Sequence, residues 1–149
     1  MRWTSAKLWS RSGLFGCVNR FMLSPSQAFG QSAENQAERM LRKKGYRILE
    51  RNVRLAGGEL DLIAEDRGTL VFIEVKARRG DHLGGAAYAI TTRKQQQIIK
   101  LAQCYLSKHG LIDTPCRFDA ILVVGADNPS PQLTHIEQAF EVPSSVWQW

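Results

Sequence analysis

Two segments of the chain carry hydrophobic residues at the spacing of an amphipathic α-helix. In the first segment they follow the i, i+4, i+7, i+8 pattern of a helix buried along one side; these residues are Ala33, Ala37, Met40 and Leu41. Ser32 is a suitable N-cap for this helix, and Gly45 is a suitable residue to end it. A second helix is predicted over residues 92–108, with an apolar face formed by Ile98, Leu101, Ala102, Tyr105 and Leu106.

The other hydrophobic runs are short and are bounded by glycine or polar residues, as is typical of β-strands. They cover residues 46–55, 59–65, 69–78, 118–124 and 133–140. Residues 70–73 (Leu-Val-Phe-Ile) are apolar on both faces, which favours a central strand that is covered on both sides. The order of helix, three strands, helix and two strands predicts an α/β fold in which a mixed central β-sheet is flanked by helices.

Two of these strands are expected to bring a pair of carboxylates together. The tight turn between them contains Arg67-Gly68, and if these two residues form the loop, Asp61 falls opposite Glu74. Opposed side chains lie on the same face, with Cβ atoms about 4.5–5.5 Å apart. Two carboxylates at that distance repel each other unless a cation lies between them. A shift of the pairing by one residue would place them on opposite faces of the sheet.

This arrangement suits a hard divalent cation. Mg²⁺ prefers oxygen ligands and is commonly bound by one or two carboxylates together with water and substrate phosphate. Asp61 and Glu74 provide the carboxylates, and the carbonyl of Val75 would add a third oxygen. Lys76 shares the face of Glu74 because strand side chains alternate, so it would orient an attacking water or accept its proton. Cross-strand salt bridges would use the same residues, and the spacing alone leaves both interpretations open.

The two helices add further candidate residues. Glu34 borders the apolar side of the first helix, whereas Glu38 is expected to point to water. An acidic residue near a helix start also stabilises the helix dipole, so the role of Glu34 stays open. Lys94 and Gln95 begin the second helix close to its apolar side. There they would either meet a phosphate or simply be solvated.

The charge of the chain indicates nucleic acid only locally. The net charge is +6 over 149 residues, but four basic residues precede the first acidic residue, Glu34, and without them residues 34–149 carry only +2. Seven basic residues are concentrated between positions 39 and 54: Arg39, Arg42, Lys43, Lys44, Arg47, Arg51 and Arg54. A solvated surface and a phosphate-binding surface both fit this cluster.

The cysteines and the first residues of the chain bear on its location. Three cysteines without metal-ligand spacing fit a reducing compartment, so a cytoplasmic protein is expected. Residues 1–29 contain no acidic residue and no sustained periodicity, and their apolar run at 14–18 is too short to span a membrane. Three interpretations of this leader stay open: a disordered segment, an organellar transit peptide, or a misassigned extension if translation begins at Met22. The folded domain is predicted to cover residues 30–149.

Several motifs, in this order along the chain, resemble those of the bacterial YraN-like family. They are Ala33-Glu34-Asn35-Gln36-Ala37 with Met40-Leu41, Gly45-Tyr46, Arg51-Asn52-Val53-Arg54, Gly58-Glu59-Leu60-Asp61-Leu62-Ile63-Ala64, Phe72-Ile73-Glu74-Val75-Lys76-Ala77-Arg78, Lys94 and Arg117-Phe118-Asp119. This family is similar to the PD-(D/E)XK nucleases, in particular to archaeal Holliday-junction resolvases. Leu60 stands where the motif name has proline, and Ala33 stands where the family is expected to have glycine.

The resemblance implies a restriction-endonuclease-like core. In that core Asp61 is the motif aspartate, and Glu74 and Lys76 form the Glu-x-Lys motif. Glu34 would be the acidic residue of the first helix and Lys94 a basic residue of the helix after the core. The implied activity is that of an endonuclease acting on DNA, with Mg²⁺ as its cofactor and Mn²⁺ as an alternative.

The remaining expectations concern substrates and partners. Branched or damaged DNA is the expected substrate, Gln95, Arg54 and Arg78 are further predicted contacts to nucleic acid, and a homodimer is expected by fold analogy. No membrane partner is expected. Two alternatives have the same fold: a non-catalytic nucleic-acid-binding module, and an adaptor that binds a partner through the basic helix with Trp147 and Trp149.

Overall fold

Five strands form one mixed β-sheet with a helix packed on each face. The structure, a computed structural model, describes residues 23–80, 90–142 and 146. In chain order its elements are α1 (Pro25–Lys43), β1 (Arg47–Leu55), β2 (Gly58–Asp66), β3 (Thr69–Arg78), α2 (Thr92–His109), β4 (Cys116–Val124) and β5 (Gln132–Ile136). The strands lie in the order β1-β2-β3-β4-β5, with β3 and β4 parallel and the other neighbours antiparallel. The predicted α/β fold is confirmed.

β3 is a central strand that is covered on both sides, as its sequence predicted. Leu70 and Phe72 belong to the core beneath α2, whereas Val71 and Ile73 belong to the core beneath α1. The helix residues buried in these cores are Ile98, Leu101, Ala102, Tyr105 and Leu106 on α2, and Ala33, Ala37 and Leu41 on α1. Within the described residues, no helix is both long enough and apolar enough to cross a membrane.

α1 begins earlier than its hydrophobic pattern predicted. Ser24 is the N-cap: its hydroxyl accepts the Gln27 amide at 3.2 Å, and the Gln27 side chain accepts the Ser24 amide at 2.9 Å. Pro25 lies in the first turn, where its missing N–H is not needed. Ser32 is therefore inside the helix, and its hydroxyl donates to the Ala126 carbonyl at 2.7 Å. The cap predicted at Ser32 was wrong because the apolar pattern reports only the part of a helix that packs on the core.

This start extends α1 into the segment that the sequence assigned to the leader. Residues 25–29, which the sequence assigned to the leader, are the first turns of α1. The capping box formed by Ser24 and Gln27 was a signal available in the sequence. The expectations for residues 1–22, including a start at Met22, lie outside the described residues.

The β2–β3 hairpin has the predicted two-residue loop. Arg67 and Gly68 have φ angles of 48° and 84°, the left-handed conformation that such a tight turn requires. Asp66 pairs with Thr69, and the pairing continues to Leu62 with Ile73. This is the register that directs Asp61 and Glu74 toward each other, although the ladder itself ends one pair before them.

β5 is shorter than predicted. It ends at Ile136 rather than at residue 140. Gln138 has a φ of 51°, and its backbone amide donates to a carboxylate oxygen of Asp119 at 3.0 Å. The strand ends because this buried carboxylate takes a backbone donor that would otherwise continue the ladder.

Candidate functional site

The candidate site lies where the neighbouring strands β2 and β3 stop pairing, in the carboxyl-terminal half of β3. Glu74 is paired with Ala120 of β4 at this point, and the pairing of β3 with β4 continues to Arg78. The pairing of β2 with β3 stops at Leu62 and Ile73, so Asp61 and Glu74 are the next residues on each strand. Beyond this point the backbone of β3 is accessible to side chains rather than to β2.

Asp61 is bound to the backbone of the opposite strand. Its Oδ2 accepts the Val75 N–H at 2.7 Å. The N–H and C=O of one strand residue point toward the same neighbouring strand, so the Val75 carbonyl is directed to the side on which Asp61 lies. Burial and the nearby charge of Glu74 raise the pKa of Asp61 to about 7, although the Val75 hydrogen bond and Lys94 oppose the increase. The two carboxylates are therefore close enough to interact strongly.

Glu74 is paired with a lysine of α2. The Lys94 Nζ lies 3.0 Å from Oε1 of Glu74, whose side chain is only 12% exposed. Lys94 is in the first turn of α2, and its backbone N–H donates to the hydroxyl of the N-cap residue Thr91 at 3.3 Å. The helix dipole disfavours a cation in this turn. Glu74 compensates for that unfavourable position.

Lys76 lies on β3 two residues beyond Glu74. Burial lowers its pKa; the charges of Arg78 and Lys94 lower it further, while Glu74 opposes the decrease. A lowered pKa increases the fraction of a lysine side chain that carries no proton and can act as a base. Arg78 is exposed at the end of β3, and its guanidinium donates to the Ala77 carbonyl at 3.1 Å.

Glu34 approaches the site from α1. Its charge contributes to the raised pKa of Asp61, and its carboxylate lies 4.0 Å from the guanidinium of Arg51 on β1. Arg51 also contacts the Asn35 side chain and the Glu38 carboxylate, each at 2.7 Å. The expectation that Glu38 points to water was wrong, because its side chain is 15% exposed, compared with 20% for Glu34. β1 runs close enough to α1 for Arg51 to draw this carboxylate toward the sheet.

The site offers oxygen ligands for a metal without a dense cluster of acidic side chains. In the part of the chain that the structure describes, no group of three or more His, Cys, Asp or Glu residues could hold a metal ion. Glu34, Asp61 and Glu74 do not form such a group in the described structure. Two carboxylates and a carbonyl fit Mg²⁺, which usually keeps several waters. They do not fit a structural zinc site, which needs four nitrogen or sulfur ligands.

Two other residues predicted to contact nucleic acid are engaged within the protein. The Gln95 side-chain amide donates to the Ile90 carbonyl at 2.8 Å and so fixes the chain that enters α2. Arg54 is exposed at the end of β1, and its guanidinium lies 3.0 Å from Glu59 on β2.

A second polar cluster, which the sequence reasoning missed, lies on the α1 side of the sheet. Asp119 is 1% exposed, and its two oxygens accept hydrogen bonds from Arg117 at 2.9 and 3.0 Å. His135 on β5 lies 2.9 Å from the same carboxylate, and Arg117 also donates to the Tyr46 hydroxyl at 2.7 Å. The available signal was strand alternation, which puts Arg117 and Asp119 on one face. It does not identify His135 as their partner.

The two ring nitrogens of His135 face different partners. The Lys44 Nζ lies 3.0 Å from Nδ1 of His135. An ammonium group can only donate, so Nδ1 accepts and the ring proton is on Nε2, facing Asp119. Burial raises the pKa of Asp119, but hydrogen bonds from His135, Arg117 and the Gln138 amide outweigh it and hold that pKa below its ordinary value. These contacts join β4 and β5 to the end of α1.

The mixed sheet between two helices defines an α/β protein that is compatible with a restriction-endonuclease-like core. A model of the uncharacterised protein family UPF0102 matches residues 33–123. The chain belongs to this family, which is the YraN family, and the resemblance drawn from the motifs is confirmed.

Relatives that carry the name UPF0102 protein are similar over most of the chain. The protein from Hahella chejuensis is 54% identical over 93 residues, which is 62% of this chain and 75% of the relative. The protein from Trichlorobacter lovleyi is 46% identical over 118 residues, 78% of this chain and 93% of the relative. The protein from Stutzerimonas stutzeri is 44% identical over 120 residues, 80% of this chain and 99% of the relative. These names state a family and no reaction.

Proposed function

We propose that this protein is a Mg²⁺-dependent endonuclease that hydrolyses phosphodiester bonds in DNA. The observation that supports this most is the grouping of two carboxylates and two ammonium groups where β2 and β3 stop pairing. Asp61 and Glu74 interact closely enough to raise the pKa of Asp61, and Lys76 and Lys94 lie beside them. Perturbed pKa values in such a group are typical of functional sites.

The residues of this site fit the chemistry of phosphodiester hydrolysis. Asp61, Glu74 and the Val75 carbonyl would hold the cation, which supplies Lewis-acid polarisation of the phosphate when it is bound. Lys76 would orient the attacking water or accept its proton, as its lowered pKa allows. Glu34 would orient the first cation or support a second one through its charge. Lys94 would neutralise a phosphate oxygen at the start of α2, where backbone N–H groups also favour an anion.

The substrate and the setting belong to the same proposal. The exposed Arg78 and the surface of α2 near Lys94 offer cations to a nucleic-acid backbone. Branched or damaged DNA and a homodimer follow only from the analogy with resolvases. The sparse cysteines favour action in the reducing environment of the cytoplasm.

A cleavage panel tests this function directly. Linear, nicked, flapped and four-way DNA would be incubated with Mg²⁺ or Mn²⁺, using the wild type and Asp61→Ala, Glu74→Ala and Lys76→Ala proteins. We expect each substitution to lower the rate on the order of a hundredfold or more. Glu141→Ala and Lys100→Ala are matched controls for loss of a carboxylate and of an ammonium group, and both should cleave at the wild-type rate. Cleavage that persists in chelator or in Asp61→Ala would contradict the assignment.

The second candidate is a nucleic-acid-binding module without catalysis. The ion pair between Glu74 and Lys94 is the observation that favours it, because a purely structural salt bridge would use the same two side chains. Salt-dependent DNA binding without cleavage of any substrate would support this module. No binding at low salt would instead favour the protein-binding adaptor, whose proposed Trp147 and Trp149 lie outside the described residues.

A further inference from the structure

Lys94 occupies a position that α2 alone would not favour. Its ammonium group lies 3.0 Å from Glu74 Oε1, yet its backbone is in the first turn of α2. This end of a helix carries partial positive charge and stabilises anions. The carboxylates beneath it therefore account for its placement, and in the described structure Lys94 acts as their counterion.

A divalent cation at the same carboxylates would compete with Lys94. The Glu74 side chain is only 12% exposed, so water screens its surroundings weakly. A Mg²⁺ ion binds carboxylate oxygens at about 2.0–2.1 Å, and an ammonium group that stayed in hydrogen-bonding distance of Glu74 would repel it strongly. Lys94 can leave, because its side chain is 31% exposed and lysine has a long, flexible stem.

We propose that Lys94 is an internal counterion that holds Glu74 in the metal-free protein, is displaced by the divalent cation, and then binds the phosphate of the nucleic acid. This inference rests on the proposed function and deepens it. Because one residue responds to both ligands, metal and nucleic acid strengthen each other's binding. Each ligand therefore binds weakly when the other is absent.

The first test measures Mn²⁺ binding without nucleic acid, from the electron paramagnetic resonance signal of the free ion. Lys94→Met removes the charge and keeps an unbranched side chain of similar length. We expect this variant to bind Mn²⁺ about tenfold more tightly than the wild type, because the ion no longer competes with an ammonium group in a site that water screens weakly. Lys94→Arg should bind as the wild type does. Lys100→Met removes an exposed ammonium group from the same helix and should also bind as the wild type does.

Asp61→Asn distinguishes a failure of the proposed metal site from a failure of the counterion role of Lys94. If no protein binds Mn²⁺, or if Asp61→Asn binds as tightly as the wild type, the metal site is wrong and this inference falls with it. If binding requires Asp61 but Lys94→Met leaves the affinity unchanged, the counterion role is overturned and the metal site stands. Equal tightening by Lys94→Met and Lys100→Met would show a general charge effect and would also overturn the role.

The second test follows a fluorescein-labelled four-way DNA junction by anisotropy, in chelator and in Ca²⁺, which takes the same oxygen ligands. Lys94→Met should weaken binding about tenfold more than Lys100→Met does when Ca²⁺ is present, and the two should match in chelator. Equal losses in the two conditions, or no binding of the junction, would overturn the transfer of Lys94 to phosphate.

Discussion

Asp61 is the residue at which strand pairing and site electrostatics meet. It lies one position beyond the last β2–β3 pair, and its carboxylate takes the Val75 N–H that β2 no longer bonds. The same carboxylate is buried beside Glu74, which raises its pKa to about 7. The Asp61 carboxylate is repelled by the Glu74 carboxylate beside it. A cation bound between the two would relieve this repulsion, so Asp61 is a suitable metal ligand.

The strain at Asp61 predicts how stability changes with pH in chelator. Its folded pKa of about 7 exceeds its ordinary value of 3.8, so its contribution to folding is complete below pH 3.8 and is lost as the pH rises through about 7. Asp61→Asn keeps an oxygen acceptor for Val75 and removes the charge. At pH 8 the variant should therefore melt at a higher temperature than the wild type, and its free energy of unfolding should be larger by on the order of 2–4 kcal/mol. Near pH 4 the two proteins should be equally stable.

Glu59→Gln is the matched control for this measurement. It is on the same strand, and its carboxylate is paired with the exposed Arg54, so its loss should have little effect at any pH.

Added Mg²⁺ should stabilise the wild type by about 2.7 kcal/mol at a hundredfold excess over its dissociation constant, and Asp61→Asn much less. If Asp61 were only a salt-bridge partner, the variant would melt below the wild type and respond equally to Mg²⁺.

At the scale of elements, the buried Asp119 connects β4 with β5 and with the segment that follows β5. Its carboxylate accepts from Arg117 on β4, His135 on β5 and the amide of Gln138 beyond β5. Removing it would leave the buried His135 side chain without this acceptor, and the Arg117 guanidinium would keep only the Tyr46 hydroxyl and the more distant Asp66 carboxylate as partners. Breaking a buried ion pair from one side is costly because the remaining charge stays desolvated.

We therefore predict that Asp119→Ala lowers the free energy of unfolding by about 3–5 kcal/mol. Asp127→Ala is the matched control: its carboxylate is 50% exposed and forms a surface pair with Arg79, so its loss should cost at most about 1 kcal/mol. The folded pKa of Asp119 is depressed, so its contribution is present above pH 3.8 and is lost only as the pH falls further. Urea unfolding at pH 7 and at pH 3 measures both effects, and a difference from wild type that grew in acid would contradict this role.

Local patterns predicted the elements whose contacts are close in sequence. The Arg67-Gly68 turn determined the register of β2 with β3, because a two-residue loop leaves one favoured alignment. The apolar run at 70–73 identified the central strand, because a strand covered on both faces carries apolar residues at successive positions. The end of β5 was not predictable, since it depends on a carboxylate of β4 that takes the Gln138 amide.

The candidate site shows the same limit. Asp61, Glu74 and Lys76 could be grouped because one hairpin carries all three. The contact of Lys94 with Glu74 crosses twenty positions and depends on how α2 packs on the sheet, so no spacing rule indicates it. Arg51 likewise reaches Glu34 and Glu38 only because β1 lies next to α1.

At the scale of the whole molecule, the basic cluster at positions 39–54 is partly neutralised by neighbouring carboxylates. Four of its residues pair with carboxylates: Arg42 with Glu38, Arg47 with Glu65, Arg51 with Glu38 and Arg54 with Glu59. Lys44 is hydrogen-bonded to His135. The cluster is also divided between α1 and β1, so it does not form one continuous phosphate-binding stripe. Nucleic-acid affinity should instead depend on Lys76 and Arg78 of β3 and on Lys94 of α2.

The start of α1 gives the last prediction, which concerns how much of the chain the fold needs. A protein that begins at Met22 keeps the Ser24 cap, Pro25 and the Phe29 ring, over which the Arg79 guanidinium lies at 4.3 Å. It should melt at the temperature of the full chain and cleave equally well. A protein that begins at Gly30 loses the cap and this cation–π contact, which contribute about 1 kcal/mol each, and should melt about 4–8 °C lower.

Calorimetry of the three proteins distinguishes the possible domain boundaries. Equal melting temperatures for all three would mean that the first turns of α1 add nothing to stability. If the protein that begins at Met22 melted as low as the one that begins at Gly30, residues 1–21 would contribute contacts of their own. The expected pattern, with only the Gly30 start destabilised, would place the boundary of the folded domain at the Ser24 cap, because that cap satisfies the first backbone donors of a helix that carries Glu34 to the site.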